Sequence, residues 1–484
     1  MKKLLSVLLA LCLLLGLVAC SAADAPIQAG GNATDAAEEG GFRVGFGRMD
    51  ITPKDPVPMA SYGNARDRMS EGIYSYLYIN VLAISDGENT LLALTIDHSW
   101  FQGTLAYPIR DEIIRTYGIP AEYIFMQGTH THAGPEVGLT EIPGMANNNT
   151  YTKSQAMKAV QMALDDLKPA EVYVGSVETE YMNFVRRYFM DDGSFTGDNY
   201  AGTGTKRVAH ETEADGEMQL MKFVRQGGKD ILIANFQAHP HLEGKTLNIS
   251  SQNVGAFRQA VEEKLDIYSI YWQGPAGNLN SHSSLAEEQK FEQSPKGRDA
   301  YGKALADYAA SVYNDLEKVN TGAIKATSRT VTLRVNHSED HLATEAQLVS
   351  DYFKQTNDPS AAQKMGKEYG IKSAYHANAI LDKVSLPATL DMPLQAFSFG
   401  DVSVVSVPYE MFDTSGMQIK DGTPFTRTFL FGYANTGNNS YSYMPDEKAF
   451  ENGGYEVNQC RFEKGTAEQL VAEYLDMLTI LKEN

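Results

Sequence analysis

Hydrophobic and polar positions follow two rhythms along this chain. Short apolar runs bounded by turn-forming residues read as buried strands, and apolar positions spaced three and four apart read as helices packed on them. Residues 77–84 and 91–96 are two such runs, and the Asp86-Gly87-Glu88-Asn89 turn between them predicts a hairpin. A helix is expected over 108–117, with Pro108 near its start and Gly118 past its end. The run Tyr123-Ile124-Phe125-Met126 predicts the next strand, and 152–167 a helix that Lys168-Pro169 stops. The same logic returns further on: 218–224, a Gln226-Gly227-Gly228-Lys229 turn and 231–236 predict a second hairpin. A helix over 254–265 then leads to a strand at 268–272 and the glycine turn Gly274-Pro275-Ala276-Gly277. An amphipathic helix is expected over 300–317, and 341–382 reads as a polar helical insertion, solvated rather than a lid. Strands are expected at 396–399 and 402–407, with a closing helix over 467–482. Strands and helices that alternate in this way, interrupted by hairpins, predict an α/β fold with a mixed central β-sheet flanked by helices.

The first residues carry an address rather than a fold element. A basic Met1-Lys2-Lys3 start and an apolar stretch to Ala19 predict a signal peptide over 1–19. That stretch is short for a membrane span, which needs about 20 apolar residues. Leu17-Val18-Ala19-Cys20 resembles a bacterial lipobox, so Cys20 is expected to be lipidated and 20–41 to form a flexible tether. The expected location is the outer side of the bacterial cell membrane, held there by lipid. Cys12 and Cys20 belong to this leader, which leaves Cys460 as the body's one cysteine, a structural thiol without a disulfide. Residues 42–484 are long enough for one large α/β catalytic domain. The formal charge of −20, or −22 once Lys2 and Lys3 are removed, argues against nucleic acid and against electrostatic docking on anionic lipid. Oligomeric state is not legible.

Candidate chemistry gathers at predicted strand ends. His130 and His132, in Thr129-His130-Thr131-His132-Ala133-Gly134-Pro135, follow one strand; His239 and His241 follow another. Ligands of open α/β sheets bind outside the carboxyl ends of strands, so the two ends are expected to meet at one edge. One histidine from each pair, with a carboxylate, would satisfy a catalytic zinc, which takes about three protein ligands and keeps one position open. Glu410 is the best carboxylate: it follows the apolar run 402–407 and is expected to begin a helix. Asp97 ends the strand 91–96 and reads either as a partner for a ligand histidine or as a turn residue.

These residues carry a family resemblance. Gly45-Phe46-Gly47-Arg48-Met49-Asp50-Ile51-Thr52-Pro53, the histidine stretch, Phe236-Gln237-Ala238-His239, the glycine turn, Val407-Pro408-Tyr409-Glu410 and the segment from Tyr443 to Tyr455-Glu456 resemble the neutral/alkaline ceramidases, zinc amidases that cut the N-acyl bond of ceramides. The resemblance implies Zn²⁺ on His130, His239, Glu410 and Tyr443, with Tyr441 the alternative to Tyr443. It implies His132 and Tyr455 on the substrate, with Arg186, or alternatively Arg187, beside them. The division of His130 to metal and His132 to substrate is expected to direct the two rings to opposite sides. Two departures stand out. Gly277-Asn278-Leu279-Asn280-Ser281-His282 lacks the family's serine and proline, which favours a metal-activated water over a serine nucleophile. The chain also ends soon after Glu456, so the C-terminal β-sandwich of full-length ceramidases is not expected.

The expected function is zinc-dependent hydrolysis of the N-acyl amide of ceramide or a related N-acyl substrate. In this scheme His132 stabilises the developing oxyanion or protonates the amine, while Arg186 and Tyr455 orient the substrate. The alternative is a substrate-binding lipoprotein of a transporter, which shares the signal, tether and acidic charge but has no need of the converging residues.

Overall fold

The computed structural model describes residues 41–197, 205–434 and 443–483. The expected leader, the tether up to residue 40 and the alternative ligand Tyr441 lie outside the described residues.

Eight strands form the path of the large sheet: β1 (Arg43–Asp50), β2 (Tyr78–Ser85), β3 (Thr90–Ile96), β4 (Ile124–Gly128), β5 (Lys168–Glu178), β6 (Glu217–Arg225), β7 (Ile231–Phe236) and β8 (Tyr268–Gln273). Their order is β8-β7-β6-β5-β1-β2-β3-β4, and β9 (Glu317–Val319) pairs with β5 off this path. The two halves are topological copies. In each, three strands pair antiparallel, and a helix then carries the chain to a fourth strand parallel to the third: α1 (Gly103–Tyr117) between β3 and β4, and α3 (Gln252–Leu265) between β7 and β8. The halves join through the antiparallel pair of β1 and β5. Both predicted hairpins and the parallel strands after them are therefore present.

Alternation along each strand sends side chains to two cores. Val81, Leu92 and Leu94 pack with α1 and α2 (Met145–Asp165), while Leu220, Leu232 and Ala234 pack with α3 and α4 (Pro295–Ser311). The intervening residues Leu82, Ile84, Phe223, Ile233 and Trp272 face a second sheet. That sheet holds β10 (Ile324–Arg334), β11 (Thr389–Phe399), β12 (Val402–Val407) and β13 (Arg427–Gly432), and its far face packs on α8 (Thr466–Glu483) through residues such as Leu394, Leu430, Leu470 and Tyr474. The expected mixed sheet flanked by helices is thus present, with a second sheet interposed on one side. Cys460 is buried in that outer core.

The large sheet curls until its two edges meet. The wholly buried amide of Gln127, on edge strand β4, donates to the carbonyls of Gln273 on the opposite edge strand β8 at 2.8 Å and of Gly432 on β13 at 2.7 Å. Asn235 on β7 similarly donates to Leu430 O at 2.9 Å and accepts from its N–H at 2.9 Å. The carboxyl ends of β4, β7 and β13 are brought together, although β4 and β7 lie far apart in strand order.

Several boundaries differ from expectation for identifiable reasons. The helix α1 begins at Gly103, so Pro108 lies inside it rather than at its start. The helix expected at 300–317 runs instead from Pro295, capped by Ser294, to Ser311, and 317–319 is strand. Glu410 begins no helix: Glu410–Met411 pairs in parallel with Tyr443–Met444, and the helix starts at Asp413. The segment expected to be helical does hold three helices, α5 (Ala343–Thr356), α6 (Pro359–Lys367) and α7 (Ala374–Val384), around a small core of their own. Before them stands Glu339, whose carboxylate accepts from His376 at 3.1 Å and Lys383 at 3.2 Å on α7.

Two outcomes test this packing. Gln127→Met keeps the side chain's bulk but strands the Gln273 and Gly432 carbonyls, so the urea midpoint is expected to report a loss of about 2–4 kcal/mol. The hydrogen bond from His376, followed by the charges of His376 and Lys383, pulls the Glu339 carboxyl from its ordinary 4.5 down to about 2 against its desolvation. A depressed carboxylate contributes stability above pH 4.5 that fades as pH falls toward 2. Glu339→Gln is therefore expected to cost about 1–3 kcal/mol at pH 7, discounted for partial exposure, with the difference from the native chain shrinking between pH 5 and 3. Hydrogen exchange across 343–384 is the readout.

Candidate metal centre

The chain leaves β4 through Thr129 and turns sharply at His130, whose φ of 66° is left-handed. A β-carbon makes this conformation costly, and such residues persist only where their surroundings fix them. The His130 ring stacks on Tyr433, itself at φ 52°, with centroids 4.0 Å apart, and meets the edge of Trp100 at 5.3 Å. His239 leaves β7 and is fully buried.

Each of these imidazoles has one nitrogen committed to the backbone. His130 Nδ1 donates to Ser99 O at 2.8 Å, and His239 Nδ1 donates to Ala276 O at 2.7 Å. Burial lowers both pKa values far below the ordinary 6.5, His130 to about 3, so the rings are neutral. With the proton held on Nδ1, each Nε2 carries a lone pair. These two Nε2 atoms nonetheless face each other at 3.2 Å, and His132 Nε2 stands 3.3 Å from that of His130. Nitrogen atoms of the three rings lie within 4.8 Å of one another.

Glu410 joins this group from the end of β12. Its Oε2 is 3.2 Å from His239 Nε2 and 3.7 Å from His130 Nε2, and it is buried without a hydrogen-bond donor among the described residues. Desolvation pushes the carboxyl up to about 8, opposed by the charge of Arg186 and a hydrogen bond from Tyr443. The lone pairs of His130 and His239 Nε2 therefore converge on Glu410 Oε2, with the His132 ring beside them, an arrangement that is favourable around a cation. The mix of imidazole and carboxylate suits zinc, and backbone carbonyls orient the ligand rings in the usual way. The three histidines can hold a metal ion.

The remaining site residues surround this group. Arg186 Nε donates to Glu456 at 2.9 Å and Nη2 to Gly277 O at 2.9 Å, with its guanidinium 5.3 Å from the centre of the Tyr443 ring. Arg187 points the other way, as strand neighbours do, to Glu211, Glu456 and the carbonyl of Ala449. Of the two arginines, only Arg186 thus faces the cluster. Tyr443 reaches Glu410, and Tyr455 packs on Tyr443 at 5.6 Å between centroids.

Two expectations need correction. His130 and His132 do not point to opposite sides: the chain turns at the left-handed His130, and the two rings converge with their Nε2 atoms 3.3 Å apart. Asp97 holds no ligand histidine: its carboxylate accepts from Arg258 at 2.7 Å and from the Tyr78 N–H at 2.9 Å. Trp100, Tyr433 and Glu456 went unread as site residues. The end of the apolar run 427–432 could have signalled Tyr433, since it too is a strand end. Ser281, in the turn without the family's serine motif, is buried.

A sequence profile described as neutral/alkaline non-lysosomal ceramidase, N-terminal, matches residues 42–289. The chain belongs to this family. A solved structure described as a ceramidase complexed with C2 superposes with a TM-score of 0.68 at 17% identity, covering 92% of this chain and 76% of that one. The neutral ceramidase of Pseudomonas aeruginosa gives 0.70 at 17% identity, covering 92% and 75%. At that identity these likenesses establish the ceramidase fold. Among curated protein sequences none matches significantly. Nothing in the fold or the matches supports the transporter-lipoprotein reading. The matched region spans His130, His132, Arg186 and His239 and stops before Glu410, Tyr443 and Tyr455; the fold brings Glu410 beside His239, Tyr443 onto Glu410 and Tyr455 onto Tyr443.

Zinc-loaded, desalted protein is expected to retain about one ion per chain by mass spectrometry. His130→Ala and His239→Ala are each expected to fall to a small fraction of that. Full retention in either variant contradicts the centre.

Proposed function

We propose that the protein is a zinc-dependent amidohydrolase that cuts the N-acyl amide bond of ceramide or a related N-acyl compound, with His130, His239, Glu410 and Tyr443 as the metal ligands. The observation that carries the reading is the inward convergence of imidazole lone pairs and the Glu410 oxygen within a ceramidase-family chain. When bound, zinc acts as a Lewis acid on a carbonyl and lowers the pKa of water toward ~7.

The protein's own side chains supply the remaining steps. His132 is kept neutral at pH 7 by burial and by its neighbours His130 and His241. Its Nδ1 is buried without a partner among the described residues, which leaves it able to exchange a proton with the substrate. In this scheme it takes up the proton that the attacking water gives up, hydrogen-bonds the oxyanion and passes that proton to the departing amine. Arg186 is held rigid by Glu456 and Gly277 O, so its charge stays beside Glu410 and Tyr443 while a polar substrate group docks. Tyr455 extends that wall. Water completes the reaction, giving a carboxylic acid and a free amine. An exported location with a lipid anchor at Cys20 belongs to the same proposal and places the substrate outside the cytoplasm.

His132→Ala separates the two histidine roles. It is expected to keep zinc while kcat on a short-chain N-acyl amide falls about 100-fold or more, the scale of a lost general acid. Loss of zinc together with activity would instead make His132 a third imidazole ligand. Absence of hydrolysis of every amide tried, with zinc bound, would overturn the amidase reading.

A further inference from the structure

Of the three imidazoles that meet at the candidate centre, His132 alone lacks a hydrogen bond to the backbone among the described residues. Carbonyls of Ser99 and Ala276 anchor His130 and His239 through Nδ1. His132 has only the 3.3 Å approach of its Nε2 to that of His130, and its Nδ1 has no such partner. With no anchor of that kind, packing alone selects its rotamer.

The packing comes from both sides. His130 and His239 stand on the metal side, with ring centroids 5.0 and 5.5 Å away. On the other side are His241 at 5.2 Å and Tyr62 at 5.1 Å, the latter edge to face with the planes 77° apart. His241 is itself fixed, its Nε2 donating to Asn280 Oδ1 at 2.9 Å. Tyr62 is the one neighbour that comes from neither histidine-bearing strand end. It sits in the long connection from β1 to β2.

That connection is strained where it delivers the ring. Ser61, Tyr62 and Gly63 have consecutive left-handed φ values of 64°, 43° and 90°. Glycine adopts this backbone freely, whereas serine and tyrosine persist there only where their surroundings fix them. The fixing group is the buried guanidinium of Arg68. Its Nη1 donates to the carbonyls of Ala60 at 2.9 Å and Ser61 at 2.7 Å, and its Nη2 to Thr246 O at 2.9 Å. The same group stands 5.4 Å from the centre of the Tyr62 ring. The Ala60 N–H donates to Gly134 O at 2.9 Å, which ties the turn to the segment carrying His132. The core does not require Tyr62, whose ring is only half-buried. The strained turn and its clamp have one visible result, a ring set against His132.

We propose that Tyr62 is a positioning residue for the reaction: its ring, delivered by the Arg68-clamped turn, holds the His132 imidazole in the orientation from which it serves the substrate. This rests on the amide-hydrolase reading above, in which His132 carries the proton. Tyr62 itself exchanges none.

The test uses zinc-loaded, full-length protein and a short-chain N-acyl amide. In Tyr62→Ala, kcat is expected to fall about 10- to 100-fold, the scale on which misplacing a reacting group acts, with KM within about threefold and zinc retained. Tyr62→Phe keeps the ring and its edge, and is expected to restore kcat to within about threefold of the native value. A crystal structure of zinc-loaded Tyr62→Ala reads the same role without turnover. In it the His132 ring is expected to rotate or to occupy two rotamers, while His130 and His239 keep their places. A kcat within about twofold of native in Tyr62→Ala overturns the proposal, as does an unmoved His132 ring. Tyr62→Phe as slow as Tyr62→Ala also overturns it and assigns the effect to the hydroxyl. Loss of zinc together with activity in Tyr62→Ala overturns it in favour of a role in building the centre. If the native protein cleaves no amide, the hydrolase reading fails, and the crystal structure alone decides whether Tyr62 holds His132.

Discussion

One buried amide holds the two edges of the large sheet together, and the candidate metal centre depends on it. Gln127 spans from β4 to the carbonyls of β8 and β13. A sheet in this strand order, left open, would hold His130 and His239 far apart, on β4 and β7. Curled and pinned, it presents their Nε2 atoms 3.2 Å apart. The inward face can curl that far because a second sheet fills it with Phe397, Phe399, Phe429 and Phe431. Those carbonyls are buried and must be paired, so the join is strongly specified rather than incidental.

The site itself is held by a second set of constraints. Backbone carbonyls fix the protons of His130 and His239 on Nδ1 and turn their lone pairs inward. Glu456 fixes Arg186, and Asn278 and Asp413 bond reciprocally, at 2.7 and 3.0 Å, behind the turn whose carbonyls orient His239. Rigidity of this kind is what a preorganised electrostatic site requires, since reacting groups then need little rearrangement. The left-handed backbone at His130 is part of the same arrangement: an ordinary extended residue there would carry the ring elsewhere.

Much of this was legible in the sequence, and the rest was hidden for physical reasons. His130, His132, His239 and Glu410 stand out because each follows a strongly apolar run, where periodicity is easiest to read. The strand β5 was hidden because Pro169 reads as a stop and its residues are only half-buried. The strand β10 was hidden by its charged and hydroxyl residues on the open face. Periodicity reports which face of a strand is buried but not how far a sheet curls, so the meeting of two edges could not be foreseen. The choice between Arg186 and Arg187 is likewise a matter of how the chain turns between two short strands, Phe184–Val185 and Arg187–Met190, which periodicity does not announce. Asp97 is a strand-end acid in sequence, and only its buried partner Arg258, on α3, reveals its purpose.

The topological duplication of the large sheet has a consequence for how the protein matures. His130 belongs to the first half and His239 to the second, while Glu410 arrives from the second sheet, after both. Neither half alone contains the complete set of candidate donors. They come together only when both halves and the second sheet have docked, so the geometry of this one cluster reports on the assembly of all three.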